Sequence, residues 1–171
     1  MNLSVDEELT LALLRLNDSA KLFQLVDHNR LHLRRFLNWV DGTQTESDSK
    51  IFIEQSLIDK HTLTLGIWNQ QQLVGLIDYH AIDNINHAAS IGYWIDQAHQ
   101  GKGVMTRSVK ALIGYGFSAL QLHRIEIRCA VDNLKSARIP QALGFQEEGI
   151  LRDAEYVNGR YHDVKVYSLL S

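Results

Sequence analysis

Gln100-Gly101-Lys102-Gly103 is the short segment with the clearest chemical use in this chain of 171 residues. It follows the alternating, aromatic-rich run Ser90-Ile91-Gly92-Tyr93-Trp94-Ile95, which predicts a half-buried strand. After it, Met105, Val109, Leu112, Gly116 and Ala119 recur at helical spacing, so a helix is expected to open at Gly103 or Val104. A strand, a glycine turn and a helix together can hold a phosphate. The first N–H groups of a helix have no partner inside it, and the macrodipole places partial positive charge there. Glycine lets the backbone take positive φ and approach the anion closely. The nucleotide pattern GxxxxGK(S/T) and the dinucleotide pattern GxGxxG are both absent. By itself such a loop is as readily a plain turn as an anion site.

Other residues carry reactive groups. Asn133 and Ser136 share one turn, where the local reading is an N-cap followed by an ordinary first-turn serine. Pro140, the only proline, falls inside the same helix. It removes the hydrogen bond to the Ser136 carbonyl, which should kink the helix and leave that carbonyl to a ligand or water. Cys129 lies in an apolar strand, where a lone cysteine is ordinarily core. Glu155 shares a strand face with Asp153 beside an Asn158-Gly159 turn; locally it is a polar residue near a hairpin, with Glu147 and Glu148 as neighbouring carboxylates. His28 and His32 stand four apart, but no HExxH and no cysteines accompany them, so no metal site is expected. Arg34, Arg35 and Arg152 could face an acidic acceptor or simply solvent.

The elements that must position these groups follow from periodicity. A first strand is expected over 9–16, then helical pieces through 39, the first capped by Asn17 or Asp18, and a helix in which Ile51, Ile53, Leu57 and Ile58 recur. Residues 62–68, 72–82 and 88–95 read as three consecutive antiparallel strands, and 124–131 as a further alternating strand. A short helix then runs to Leu143, ended by Gly144, and strands near 145–155 and 161–169 flank the Asn-Gly hairpin turn. The order is that of an α+β fold with a mixed, mostly antiparallel sheet flanked by helices.

With 45% hydrophobic and 22% charged residues, the chain fits one globular domain over 1–171. A net charge of −3 argues against nucleic acid as a partner, and one cysteine excludes an internal disulfide. The acidic start MNLSVDEEL lacks a signal-peptide pattern, and the longest uncharged run, 111–122, is too short to cross a bilayer. A cytoplasmic protein with no membrane partner is expected.

Several blocks in this order, IGYWIDQAHQGKGVM, then IRCAVDN with Ser136, then LGFQEEGILRDAEYVNGRYHDVKVY, resemble the GCN5-related N-acetyltransferase (GNAT) family. Within it they are most similar to the bacterial ribosomal-protein N-terminal acetyltransferases of the RimL type. The likeness covers nearly the whole chain and is weakest in the first third, where acceptor choice usually lies. It implies that Gln100, Gly101, Lys102, Gly103, Val104, Met105 and Thr106 bind the pyrophosphate of acetyl-CoA. Met105 departs from the family's small residue at its position. The pantetheine would pair with the strand backbone at Trp94 and Ile95, where an N–H would also hold the oxyanion, and would touch Asn133. Ser136 would protonate the leaving thiolate, and Glu155 would deprotonate the acceptor. Cys129 matches a family cysteine near the cofactor thiol, and His123 matches a structural position. The implied reaction is direct transfer from acetyl-CoA to an amine, foremost a ribosomal protein's N-terminus, by a homodimer. A small amine such as a polyamine or antibiotic is the alternative acceptor, and a CoA-binding module without turnover is the alternative class.

Overall fold

The computed structural model describes residues 1–171. Its strands are β1 (Asn2–Ser4), β2 (Leu9–Leu13), β3 (Leu63–Asn69), β4 (Gln72–Asp83), β5 (Ala88–Ile95), β6 (Arg124–Ala130), β7 (Gln146–Val157) and β8 (Arg160–Leu170). The helices are α1 (Ser19–His28), α2 (Arg30–Leu33), α3 (Glu46–Ile58), α4 (Val104–Ser118) and α5 (Leu134–Ala142). All strands join one sheet in the order β1-β2-β3-β4-β5-β6-β8-β7. Only β5 and β6 run parallel. The expected mixed, mostly antiparallel sheet is what forms.

Local chemistry accounts for the joints. At the β7–β8 hairpin, Asn158 and Gly159 take φ of 52° and 79°, the double positive φ that an Asn-Gly turn supplies. The Asn133 side chain accepts from the Ser136 N–H at 3.3 Å and so caps α5, while Gly144, at φ 80°, follows its end. Three expectations need correction. The first strand stops at Leu13, because Leu16 opens a short 3-10 turn, and β1 precedes it. Asp18 bonds backward, its Oδ2 accepting from the Arg15 N–H at 2.9 Å, rather than capping α1. In α3 only Ile53 of the expected apolar set is buried; Ile51 and Ile58 project from the opposite side, because their seven-residue separation puts both on one face, away from Ile53.

The sheet is packed on both faces. On one, α4 seats Met105, Val109 and Leu112 against Leu65, Ile77, Ile91 and Ile127. On the other, α1 and α3 seat Leu22, Val26 and Ile53 against Leu76. Gly116 of α4 is forced by this packing. The fully buried Tyr79 donates from its hydroxyl to the Leu112 carbonyl at 2.9 Å, and a Cβ on Gly116 would collide with that hydroxyl. Gly116→Ala should therefore destabilise the fold by about 1–3 kcal/mol, read by denaturant unfolding. A variant as stable as the parent would contradict this packing.

The feature that makes a site is an interrupted pairing. β5 and β6 pair only from Ala88–Arg124 to Ile91–Ile127. Beyond that, β5 stays on β4 as far as Ile95, and β6 stays on β8 as far as Ala130. The strands part at Gly92, opening a wedge whose free edges carry unpaired backbone groups.

Candidate active site

The loop between β5 and α4 ends at the mouth of this wedge. Gly101 and Gly103 have φ of 72° and 71°, with open space where a Cβ would stand. None of the N–H groups from 101 to 106 donates to a backbone carbonyl. They form an anion cradle at the start of a 15-residue helix. Val104 and Met105 point into the core, so the length of the methionine leaves the cradle open. Lys102 is exposed beside it, and Thr106 is half-buried. The Gln100 side chain is held from two sides, its amide 2.8 Å from His32 Nε2 and its oxygen accepting from Lys135 Nζ at 3.1 Å. Burial, then the charges of Lys135 and Arg35, pushes the His32 pKa down, which keeps that ring neutral and able to accept. Below the loop, burial raises Asp96, but hydrogen bonds from His99 and its neighbours outweigh it and hold the carboxyl below its usual range.

Inside the wedge, the Asp96 N–H donates to the Val74 carbonyl at 2.8 Å, and the β4–β5 register is unbroken from Gly75–Ile95 to His80–Ser90. Antiparallel alternation then uses the Trp94 N–H in the ladder and turns those of Tyr93 and Ile95 toward the gap. Of the two expected oxyanion donors, Ile95 fits and Trp94 does not, because its N–H is spent on β4. The Trp94 side chain instead projects to the α1–α3 side, with its ring 5.9 Å from that of Trp39.

A tyrosine that the sequence reading did not single out joins the two sides of the wedge. The Tyr93 hydroxyl donates to the Ser136 carbonyl at 3.1 Å and accepts from Ser136 Oγ at 3.2 Å. This corrects the expectation for Pro140. The carbonyl that the proline frees is taken by Tyr93, not left to ligand or water. Ser136 is half-buried and points at the wedge through this contact. Burial pushes the Tyr93 phenol well above its ordinary range, so it stays a neutral donor.

Glu155 reaches the site through irregular backbone. The β7–β8 register slips between Leu151 and Glu155, so Leu151 faces Val164 while Glu155 faces His162. Two extra residues bulge out there, with Asp153 at φ 48° and its N–H donating to Asp163 Oδ1 at 2.9 Å. The bulge puts Glu155 half-buried on a strand that is exposed from Gln146 to Ala154. Burial raises its carboxyl pKa and the His162 charge opposes this, leaving it above the ordinary value. Cys129 is 5% exposed, and burial, then the Glu155 charge, pushes its thiol up to about 11. At neutral pH it is a packed thiol, unsuited to be a nucleophile.

On the α1–α3 face a cavity of 310 Å³ lies between Trp39, Phe52, Trp94 and Leu76. It shares Phe52, Thr64 and Asp78 with a wider groove of 920 Å³ that runs past the end of α3. The arginines considered for the acceptor lie elsewhere: Arg34 pairs with Asp41 at 3.0 Å, Arg35 stacks over Phe36, and Arg152 is exposed.

A family model described as the acetyltransferase (GNAT) domain matches residues 8–146. The Escherichia coli ribosomal-protein-serine acetyltransferase is 32% identical over 97% of this chain and 94% of its own length. A structure of RimL, a ribosomal L7/L12 alpha-N-protein acetyltransferase in complex with coenzyme A held by a disulfide to a cysteine, superposes with TM-score 0.96. It is 30% identical, over 99% of this chain and 98% of that one. The microcin C7 self-immunity acetyltransferase MccE, in complex with acetyl-CoA and AMP, gives a TM-score of 0.94 at 36% identity over 98% and 94%.

Proposed function

Because this chain belongs to the GNAT acetyltransferase family, with acetyl-CoA as acyl donor, we propose that it acetylates the N-terminal amino group of a ribosomal protein. The observation that carries the transfer reading is the wedge between β5 and β6, with a cradle of N–H groups at its mouth. The E. coli relative's substrate class and the near-complete superposition on RimL support the acceptor.

The roles are those the family resemblance implies, and the geometry supports them. The pyrophosphate sits on the N–H groups of 101–106, and Lys102 adds charge. Pantetheine runs along Trp94 and Ile95 and meets Asn133 at the start of α5. The thioester oxygen takes the Ile95 N–H, where one such donor is worth about 3–4 kcal/mol to the transition state. Glu155 takes the proton of the attacking amine. Ser136, held by Tyr93, gives its proton to the departing thiolate and regains one from solvent. Attack is direct, because the only cysteine is a buried, protonated thiol.

Ser136→Ala is expected to lower kcat by about 10²-fold with acetyl-CoA affinity little changed, because the hydroxyl matters most as the thiolate leaves. An equal loss of cofactor affinity would make Ser136 a donor contact only.

The one domain is proposed to work in the cytoplasm as a homodimer. What supports the pairing is the long exposed edge strand β7, where Ile150, Leu151 and Tyr156 are 51%, 42% and 54% exposed. Light scattering should give twice the chain mass. The acceptor is tested by competition: N-terminal peptides of ribosomal proteins and small amines are mixed with acetyl-CoA and resolved by mass spectrometry. Acetylated peptide should dominate. Acetylation confined to the amines would overturn this acceptor.

A further inference from the structure

Asp78 stands where the wide groove meets the smaller cavity, on the same sheet face as Trp94. In the β4–β5 ladder it is opposite Gly92, the first residue of the wedge, and a Cβ on Gly92 would come 3.0 Å from Asp78 Oδ2. Glycine at that position lets the carboxylate lie over the strand at the point where the reacting groups enter. Oδ1 accepts from His80 Nδ1 at 2.7 Å, which fixes the carboxylate. Oδ2 receives no hydrogen bond from the protein, and Asp78 lines both the cavity and the groove. A second, independent group waits in the same cavity: Ser49 is 2% exposed, and its Oγ has no hydrogen-bond partner. A buried hydroxyl without a partner is costly unless something occupies the space before it. Among the other walls, Trp39, Phe52 and Trp94 present aromatic surface of the kind that receives an alkyl chain ending in a cation.

We propose that Asp78 anchors a second positive charge of the acceptor, so that this enzyme selects amines carrying a further cationic group near the nitrogen it acetylates. Asp78 stands across from Gly92, one to three residues from Tyr93 and Ile95, a backbone separation of roughly 6–11 Å. That span suits either a short diamine or a peptide whose second residue is basic. The aromatic walls hold the methylene chain between the two charges, and Ser49 Oγ accepts from the ammonium or donates to a peptide carbonyl. The base is a separate group, Glu155 on the far side of the wedge, so cation binding and proton removal are divided between two carboxylates. This assignment rests on the transfer reading but adds the substrate's charge to it.

The test compares acceptors that differ only in the second charge: serine peptides with lysine or norleucine next, and butane diamine against butylamine. Wild type should favour the dication by roughly ten- to hundredfold in kcat/KM, the range of one charge-assisted hydrogen bond. In Asp78→Asn and Asp78→Ser the ratio should fall to near one, with acetyl-CoA affinity by calorimetry as the check on folding. Butyltrimethylammonium, which cannot be acetylated, should quench tryptophan fluorescence in wild type and lose that binding in both variants. A wild-type ratio near one, or an equal loss for both members of a pair, overturns the assignment. If only the diamine pair is turned over with the expected ratio, the cation subsite stands and the ribosomal acceptor fails. Cation binding with no acceptor acetylated would likewise separate the subsite from the transfer reading.

Discussion

Glu155→Gln is expected to fold, to bind acetyl-CoA as the parent does, and to lose about 10²–10⁴-fold in turnover at pH 7, the usual range for a general base. The site explains why a carboxylate suffices. An α-amino group has a pKa of about 7.7–8, so roughly a tenth is already neutral at pH 7, and only the remainder must be deprotonated. Burial raises the Glu155 carboxyl above the ordinary carboxylate value, which makes it a better base than a free glutamate. The acid limb of kcat/KM should therefore fall above the ordinary carboxylate range in wild type and vanish in the glutamine variant. The deficit should also shrink as pH rises and the amine deprotonates unaided. Stability moves the other way. A carboxyl whose folded pKa is raised binds more protons folded than unfolded, so its effect on stability is unfavourable once pH passes from the unfolded value up through the folded one. Glu155→Gln removes that cost, and its melting temperature at pH 7 should equal or exceed the parent's. A destabilised variant would point to a structural role, and near wild-type turnover at pH 7 would remove Glu155 from the mechanism.

Gly103→Glu should abolish acetyl-CoA binding to the limit of calorimetry. Three effects add. The residue sits at φ 71°, a region that side chains other than glycine enter at a cost of about 1–3 kcal/mol. The space around it is open, so a glutamate would fold without a clash but would fill the cradle that a phosphate needs. Its negative charge would also sit at the positive end of α4, taking the anion's place. Unchanged affinity in a folded Gly103→Glu variant would move the pyrophosphate off this loop.

Much of this was legible in the residues, for physical reasons. Asn158-Gly159 announces its hairpin because few residues accept two positive φ angles in succession. Gln100 to Gly103 sits between a strand and a helix of opposite periodicities, so its backbone N–H groups could be placed without coordinates. The mostly antiparallel sheet followed from the order of alternating strands, helical runs and turns. What stayed hidden depends on partners far apart in sequence. The slip between Leu151 and Glu155 comes from pairing with β8, and no local signal marks it. Tyr93 and Ser136 are 43 residues apart, so a strand aromatic and a missing helical bond could not be recognised as one contact. Asp78 resembled any polar residue of a half-buried strand until the cavity beside Trp39 and Trp94 showed what it faces. The apolar residues of α3 misled because their spacing fits a helix without saying which side is covered.

The most direct test is intact-mass spectrometry on quenched mixtures of the enzyme, acetyl-CoA and a serine-terminated peptide during turnover. Direct transfer predicts a peptide carrying one acetyl group on its α-nitrogen and an enzyme of unchanged mass throughout, with Cys129 unmodified. An unmodified peptide, or an acetyl group found on the enzyme and passed from there to the peptide, would contradict it.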